Sequence, residues 1–211
     1  MIEDPGLRER KKLQQRQAIA AAALRLFSER GFANVTVADI ARAINISTKT
    51  VFNYFPTKED LVLHGREAIE SNLLRALQNR TPGESLLTAA RRHTLAMAQQ
   101  MRAVPQEQRL AFQQIMQSAP TVGARWRELQ SQHEQTIACL LMAETAAPAE
   151  DVIPIVVAGL LGVINRLAFY NVIGWPDEHP RSAVEIDNQI ERAFDLLAHG
   201  LKDYGVLTEV G

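Results

Sequence analysis

The sequence predicts an all-α protein, and three observations point there. Apolar residues recur at three- and four-residue spacing along the 211-residue chain, with no sustained alternation of β-branched residues. Hydroxyl residues followed three positions later by an acid, the pattern of a helix start, occur at Thr36-Val-Ala-Asp39 and Thr57-Lys-Glu-Asp60. Gly31, Pro56, Pro105, Pro120, Pro148 and Pro180 fall between the periodic segments.

Each element follows from these rules. A first helix is expected over 9–30, with Ile19, Ala22, Ala23, Leu26 and Phe27 on one face. Gly31 is expected to end it in a left-handed cap, with Phe32 folding back onto the core. Thr36 caps a short second helix whose Ile40, Ala41 and Ile44 point inward, and Asn45 supplies the turn because it tolerates positive φ. Ile46 plugs that turn into the core, and Ser47 caps a third helix over 48–55, which Pro56 terminates. Thr57 opens a long fourth helix to about residue 79. Five more helices are expected over 85–102, 106–117, 122–144, 151–172 and 183–204. The tail from Gly205 is expected to fray.

Charge separates the two ends of the chain. Residues 8–58 carry ten Lys or Arg against three acids, a local net charge of +7. The whole chain carries −1, so the remainder sums to −8. A basic end on an acidic protein is the footprint of a nucleic-acid-binding module. The single cysteine, Cys139, excludes an intramolecular disulfide and a multi-cysteine metal site and suits a reducing cytosol. No signal sequence is visible. The most apolar stretch, 152–173, is interrupted by Pro154, Asn165, Arg166 and Asn171 and reads as a buried helix, not a membrane span.

The second and third helices with their tight turn form a helix-turn-helix, in which the later helix enters the major groove. Val51, Phe52 and Phe55 are expected to hold that helix to the core. Ser47, Thr48, Lys49, Thr50, Asn53 and Tyr54 then face outward, all of them able to bond to phosphates or bases. Taken with Arg16, Ile19, Ala22, Phe27, Gly31-Phe32, Thr36-Val37, Ile40-Ala41, Ile46-Ser47, Thr50-Val51-Phe52, Tyr54-Phe55, Lys58 and Leu61, this segment resembles the DNA-binding domain of the tetracycline-repressor (TetR) family. Two positions depart from the family pattern: Asn45 stands at the usual turn glycine, and Phe52 at a usual tyrosine.

The resemblance implies about nine helices, a homodimer and two recognition helices meeting a roughly palindromic double-stranded operator. It divides the chain into a DNA-binding domain, 1–60, and a dimerisation and effector-sensing domain, 61–211. Lys49 and Thr50 are then candidates for base contacts. Thr36, Asn53, Tyr54 and Lys58 become candidates for phosphates, with Arg42 near the backbone and Ser47 and Thr48 alongside. Thr36, Ser47 and Thr57 have a competing role as helix caps.

The last two helices are expected to pair with their mates in a partner copy. Ala158, Gly159 and Gly162 would allow close approach, and Ile190, Phe194, Leu197 and Leu201 face the same seam. The sensing pocket implied by the resemblance lies among the middle helices. Candidates are Met97, Met101, Phe112, Met116, Trp126, His133, Ile137, Asn165, Phe169 and Tyr170, each equally readable as core. Few charges fall among them, so a small apolar or amphipathic effector is expected.

The expected function is a cytoplasmic, ligand-released repressor. A DNA-binding or architectural protein without small-molecule input is the alternative. The sequence offers no HExxH, phosphate loop or G-x-S-x-G, so neither an enzyme nor a cofactor or metal requirement is expected.

Overall fold

The computed structural model describes residues 6–174 and 181–200. Among them are nine α-helices: α1 (Leu7–Arg30), α2 (Val37–Ala43), α3 (Thr48–Tyr54), α4 (Lys58–Gln78), α5 (Leu86–Arg102), α6 (Gln106–Ser118), α7 (Pro120–Thr145), α8 (Ile153–Ile173) and α9 (Ala183–His199). They belong to two compact units, residues 1–68 with 106–131 and residues 69–105 with 132–211. The units are not contiguous in sequence, because α4 and α7 each contribute residues to both.

The first unit is built on α1, α2 and α3, with α6 and the first half of α7 completing its core. Ile19, Ala23, Phe27, Ile40, Val51, Phe55 and Leu61 are buried in one cluster with Ile115, Val122, Trp126 and Leu129. Gly31 ends α1 at φ 80° and ψ 147°. The positive φ matches expectation, but the backbone runs extended rather than left-handed helical. Phe32 nevertheless turns back and packs against Phe27 at 5.0 Å between ring centroids. An ion pair ties α7 to the start of α4: Arg125 Nε donates to Asp60 Oδ1 at 2.8 Å, and Asp60 is 3% exposed.

In the second unit, α5, α8 and α9 pack on one another. Ion pairs stitch α5 to α9, with Arg91 reaching Asp195 at 2.6 Å and Arg102 reaching Asp187 at 2.8 Å. Ser182 caps α9, its hydroxyl accepting from the Glu185 N–H while Glu185 reaches back to the Ser182 N–H.

Helix α8 is long and apolar enough to cross a membrane by length and composition. One of its faces packs inside the unit through Ala158, Leu161, Ile164, Ala168 and Phe169, and its Arg166 lies 3.7 Å from Glu134 of α7. The other side of this helix is left open within the chain. Ile153, Val156, Leu160, Val163 and Leu167 are all exposed in the isolated chain. Their spacing of three, four, three and four residues places them on one narrow stripe.

Of the expected dimer residues, Ala158, Ile190 and Phe194 are 1–2% exposed, packed within this chain. Gly162 faces α7, since a Cβ there would stand 2.6 Å from Glu134 Oε1. Gly159 and Leu197 are half-buried, and Leu201 lies outside the described residues.

Candidate DNA-binding face

Seven residues make a short helix, so α3 depends on its ends and its packing. At the start, the Ser47 hydroxyl accepts from the Thr50 N–H at 3.0 Å and pairs with the Thr50 hydroxyl at 2.8 Å. At the end, Phe55 takes an extended conformation before Pro56 while its N–H still donates to Val51 O at 2.9 Å. The turn before α3 hinges on Asn45 at φ 54°, with the Ile46 N–H donating to Ala41 O at 2.9 Å. The helix-turn-helix is therefore fixed by a left-handed Asn, a hydroxyl cap and a proline stop, as the sequence implied.

The face assignment within α3 differs from expectation. Val51 and Phe55 are buried and Tyr54 packs half-buried against the same cluster, whereas Phe52 is 49% exposed. Positions 51, 54 and 55 share one side of a helix, and position 52 lies 100° round from 51. The outward set is thus Thr48, Lys49, Phe52 and Asn53. Thr48, Lys49 and Asn53 are exposed, and among the described residues their side chains make no hydrogen bond. Phe52 is the residue that sequence reasoning missed. Its signal was the i+3 relation to Lys49 and the i+4 relation to Thr48.

Several other candidates are occupied by the fold. The Thr36 hydroxyl donates to Asp39 Oδ2 at 2.6 Å and accepts from the Asp39 N–H at 3.1 Å. The Thr36 N–H also donates to Asp39 Oδ2, at 2.9 Å. These bonds hold the Asp39 carboxyl below its ordinary pKa, the Thr36 hydroxyl contributing most, and they make Thr36 a cap. Arg42 pairs with Asp39 at 3.0 Å, yet its side chain is 77% exposed and keeps donors to spare. Thr57 is also a cap, its N–H donating to Asp60 Oδ2 at 3.0 Å and its hydroxyl accepting from the Asp60 N–H at 3.1 Å.

Lys58, a phosphate candidate, is held within the chain by Phe32. Its ammonium donates to Phe32 O at 2.5 Å and sits over the Phe32 ring at 4.1 Å from the centroid. Burial pushes its pKa below the ordinary value. The group locks the end of α1 to the start of α4.

The ligand candidates fall in different places. Phe112, Met116 and Trp126 pack in the core of the first unit, Trp126 at 1% exposure. Met97, Met101, His133, Ile137, Asn165, Phe169 and Tyr170 belong to the second. Asn165 is 5% exposed, and its Oδ1 has no hydrogen-bond partner among the described residues. An open groove of about 460 Å³ lies in the first unit between α1 and α6, lined by Phe27, Phe32, Ala111 and Ile115 among others. None of the ligand candidates lines it. Among the described residues, no group of three His, Cys, Asp or Glu could hold a metal ion.

A capped helix, a tight turn and a recognition helix with an outward polar face on a basic segment define a helix-turn-helix DNA-binding protein. Comparison with known proteins takes this further. Residues 19–64 match the model of bacterial regulatory proteins, tetR family. The chain is 29% identical over 152 residues to the HTH-type transcriptional regulator TcmR of Streptomyces glaucescens, covering 70% of this chain and 67% of TcmR. It is 48% identical over 50 residues to the HTH-type transcriptional regulator LuxR of Vibrio harveyi, 24% of each chain.

Among solved structures, a TetR-family regulator from Syntrophomonas wolfei superposes with a TM-score of 0.58 at 18% identity, covering 92% of this chain and 99% of that one. The TetR-family repressor FadR of Thermus thermophilus, in complex with lauroyl-CoA, has a TM-score of 0.52 at 22% identity, covering 93% and 97%. Residues 19–64 thus match the DNA-binding domain of the tetR family, and the chain as a whole is similar to TetR-family transcriptional regulators.

Proposed function

We propose that the protein is a cytoplasmic homodimeric repressor that binds a roughly palindromic operator and is released from it by a small apolar or amphipathic effector. Residues 1–60 read DNA, and residues 61–211 dimerise and sense. The observation that carries this reading is the outward face of α3, where Thr48, Lys49 and Asn53 stand exposed beside Phe52. Lys49 and Asn53 supply an ammonium and an amide to base edges and phosphates, and the Phe52 ring suits a thymine methyl or a sugar. The apolar stripe of α8 supports dimerisation, because a solvent-facing row of five large aliphatic residues is stabilised by a second copy. The lauroyl-CoA of FadR, an acyl chain on a charged carrier, supports an amphipathic effector. An effector that favours a DNA-incompetent arrangement shifts the population off the operator.

The test is fluorescence anisotropy at fixed near-physiological salt on duplexes tiled across the DNA flanking the gene. Tight binding to one palindromic tile, lost in Lys49→Ala and retained in Thr57→Ser, supports the reading. Equal, salt-sensitive binding to every tile by wild type and Lys49→Ala would sink it in favour of an architectural DNA-binding protein. With the operator found, a compound that weakens binding without lowering helicity establishes the effector step.

A further inference from the structure

Helix α1 begins well before the body it serves. Its first buried residue is Ile19, and residues 8–14 are exposed on all sides. That stretch holds Arg8, Arg10, Lys11 and Lys12 against one acid, Glu9. Cations in the first turns of a helix face the positive end of its macrodipole, an arrangement that weakens the isolated helix. Gly6 at the N-cap has no side chain to offset this. The arm is thus unfavourable alone and complementary to a polyanion.

The register of the cations narrows the partner. Arg8, Lys11 and Lys12 are spaced i, i+3, i+4, and the same stripe continues through Gln15 to Ile19, Ala22 and Ala23. Ile19 and Ala23 are 0% exposed in the core of the first unit. The inward stripe of α1 therefore changes from apolar to cationic where the body ends. Further along, the Arg16 guanidinium stacks over the ring of Phe55 at 5.1 Å, and Phe55 is the C-terminal cap of the recognition helix. Arg8 stands eight residues, roughly 12 Å of helix, before Arg16.

We propose that this arm is a second DNA-contact element, in which Arg8, Lys11 and Lys12 hold backbone phosphates flanking the segment read by α3. The proposal rests on the DNA-binding reading above and extends the interface beyond the helix-turn-helix. A membrane surface fits less well, because Leu13 is the one large apolar side chain among residues 8–14. Phosphate contacts of this kind add affinity without base preference.

The experiment compares the full-length wild type with the triple variant Arg8→Gln, Lys11→Gln, Lys12→Gln. Glutamine matches lysine and arginine in helix propensity, so helicity should be unchanged by circular dichroism. Binding is measured against salt on two mixed-sequence duplexes, about four and about two helical turns long. On the longer duplex the variant should show a log K against log salt slope shallower by about 2–3 per engaged arm, from roughly 0.9 per phosphate contact. Its low-salt affinity should fall at least about tenfold. The double variant Lys11→Arg, Lys12→Arg should behave as wild type.

An unchanged slope on the longer duplex, with Lys49→Ala still weakening binding, would overturn the arm and leave the reading head intact. A wild type that binds neither duplex would overturn both. Arm-dependent binding to vesicles of phosphatidylserine and phosphatidylcholine, with the DNA slope unchanged, would assign the arm to a membrane instead.

Discussion

Removing the guanidinium of Arg125 should destabilise the first unit by an amount that the local geometry sets. Asp60 is 3% exposed, with Oδ2 taking the Thr57 N–H at 3.0 Å and Oδ1 taking Arg125 Nε at 2.8 Å. In Arg125→Ala the carboxylate keeps its cap bond and loses its cation. Breaking one side of a buried pair costs about 3–5 kcal/mol. The Arg125 side chain retains 24% exposure, so water reaches part of the gap and about 3 kcal/mol is expected. For a chain of this size that corresponds to a fall of about 6–12 °C in Tm at fixed protomer concentration.

The assay is a double-mutant cycle in urea with Arg125→Ala, Asp60→Asn and the pair. Asp60→Asn keeps an amide oxygen for the Thr57 N–H and removes the charge. The coupling should exceed about 1.5 kcal/mol and persist in high salt, because the pair is shielded from ions. Coupling below about 0.5 kcal/mol would refute the claim that Arg125 stabilises the start of α4 through Asp60.

Other consequences are equally measurable. Leu160→Glu places a charge in the middle of the α8 stripe and should weaken self-association at least about tenfold by analytical ultracentrifugation. Gly162→Val adds side-chain volume where Glu134 Cγ lies 2.9 Å from a Cβ position. It should cost about 1–3 kcal/mol in denaturant and separate Glu134 from Arg166.

Burial, with a smaller push from Arg92, lowers the His93 pKa from 6.5 to about 4. The unfolded chain therefore takes up this proton first. The associated stability is complete above pH 6.5 and is lost as pH falls from 6.5 towards 4, at most about 3 kcal/mol in all. His93→Gln should flatten that limb of the stability–pH curve in proportion. An unchanged limb would show that another group sets it.

The sequence made the helix starts legible because capping is local. Thr36 with Asp39 and Thr57 with Asp60 lie three residues apart and satisfy each other whatever the rest of the chain does. Asn45 was legible for the same reason, one side chain suiting one dihedral. What the sequence concealed depends on distant partners. Lys58 donates to the Phe32 carbonyl 26 residues away, a contact no spacing announces. Phe52 and Tyr54 exchanged faces because α3 is two turns long and tyrosine suits either environment.

In α8, apolar residues surround the helix, so periodicity could not separate the side packed within the chain from the side left open. Ala158 went to the first and Leu160 to the second. The ligand candidates share the middle helices in sequence, but α6 and the first half of α7 belong to one unit and α5, α8 and the rest of α7 to the other.

The open stripe on α8 makes folding and abundance one problem. With a second copy covering Ile153, Val156, Leu160, Val163 and Leu167, as proposed, stability depends on protomer concentration through mass action. Dilution by cell growth then removes operator-competent protein faster than it removes chains, since dimer falls more steeply than total protomer. A fresh chain meets the converse delay. Its reading head emerges first from the ribosome, and both half-sites can be spanned only after α8 has been made and has met its mate. Promoter response would therefore lag synthesis by a second-order encounter time, which shortens as expression rises.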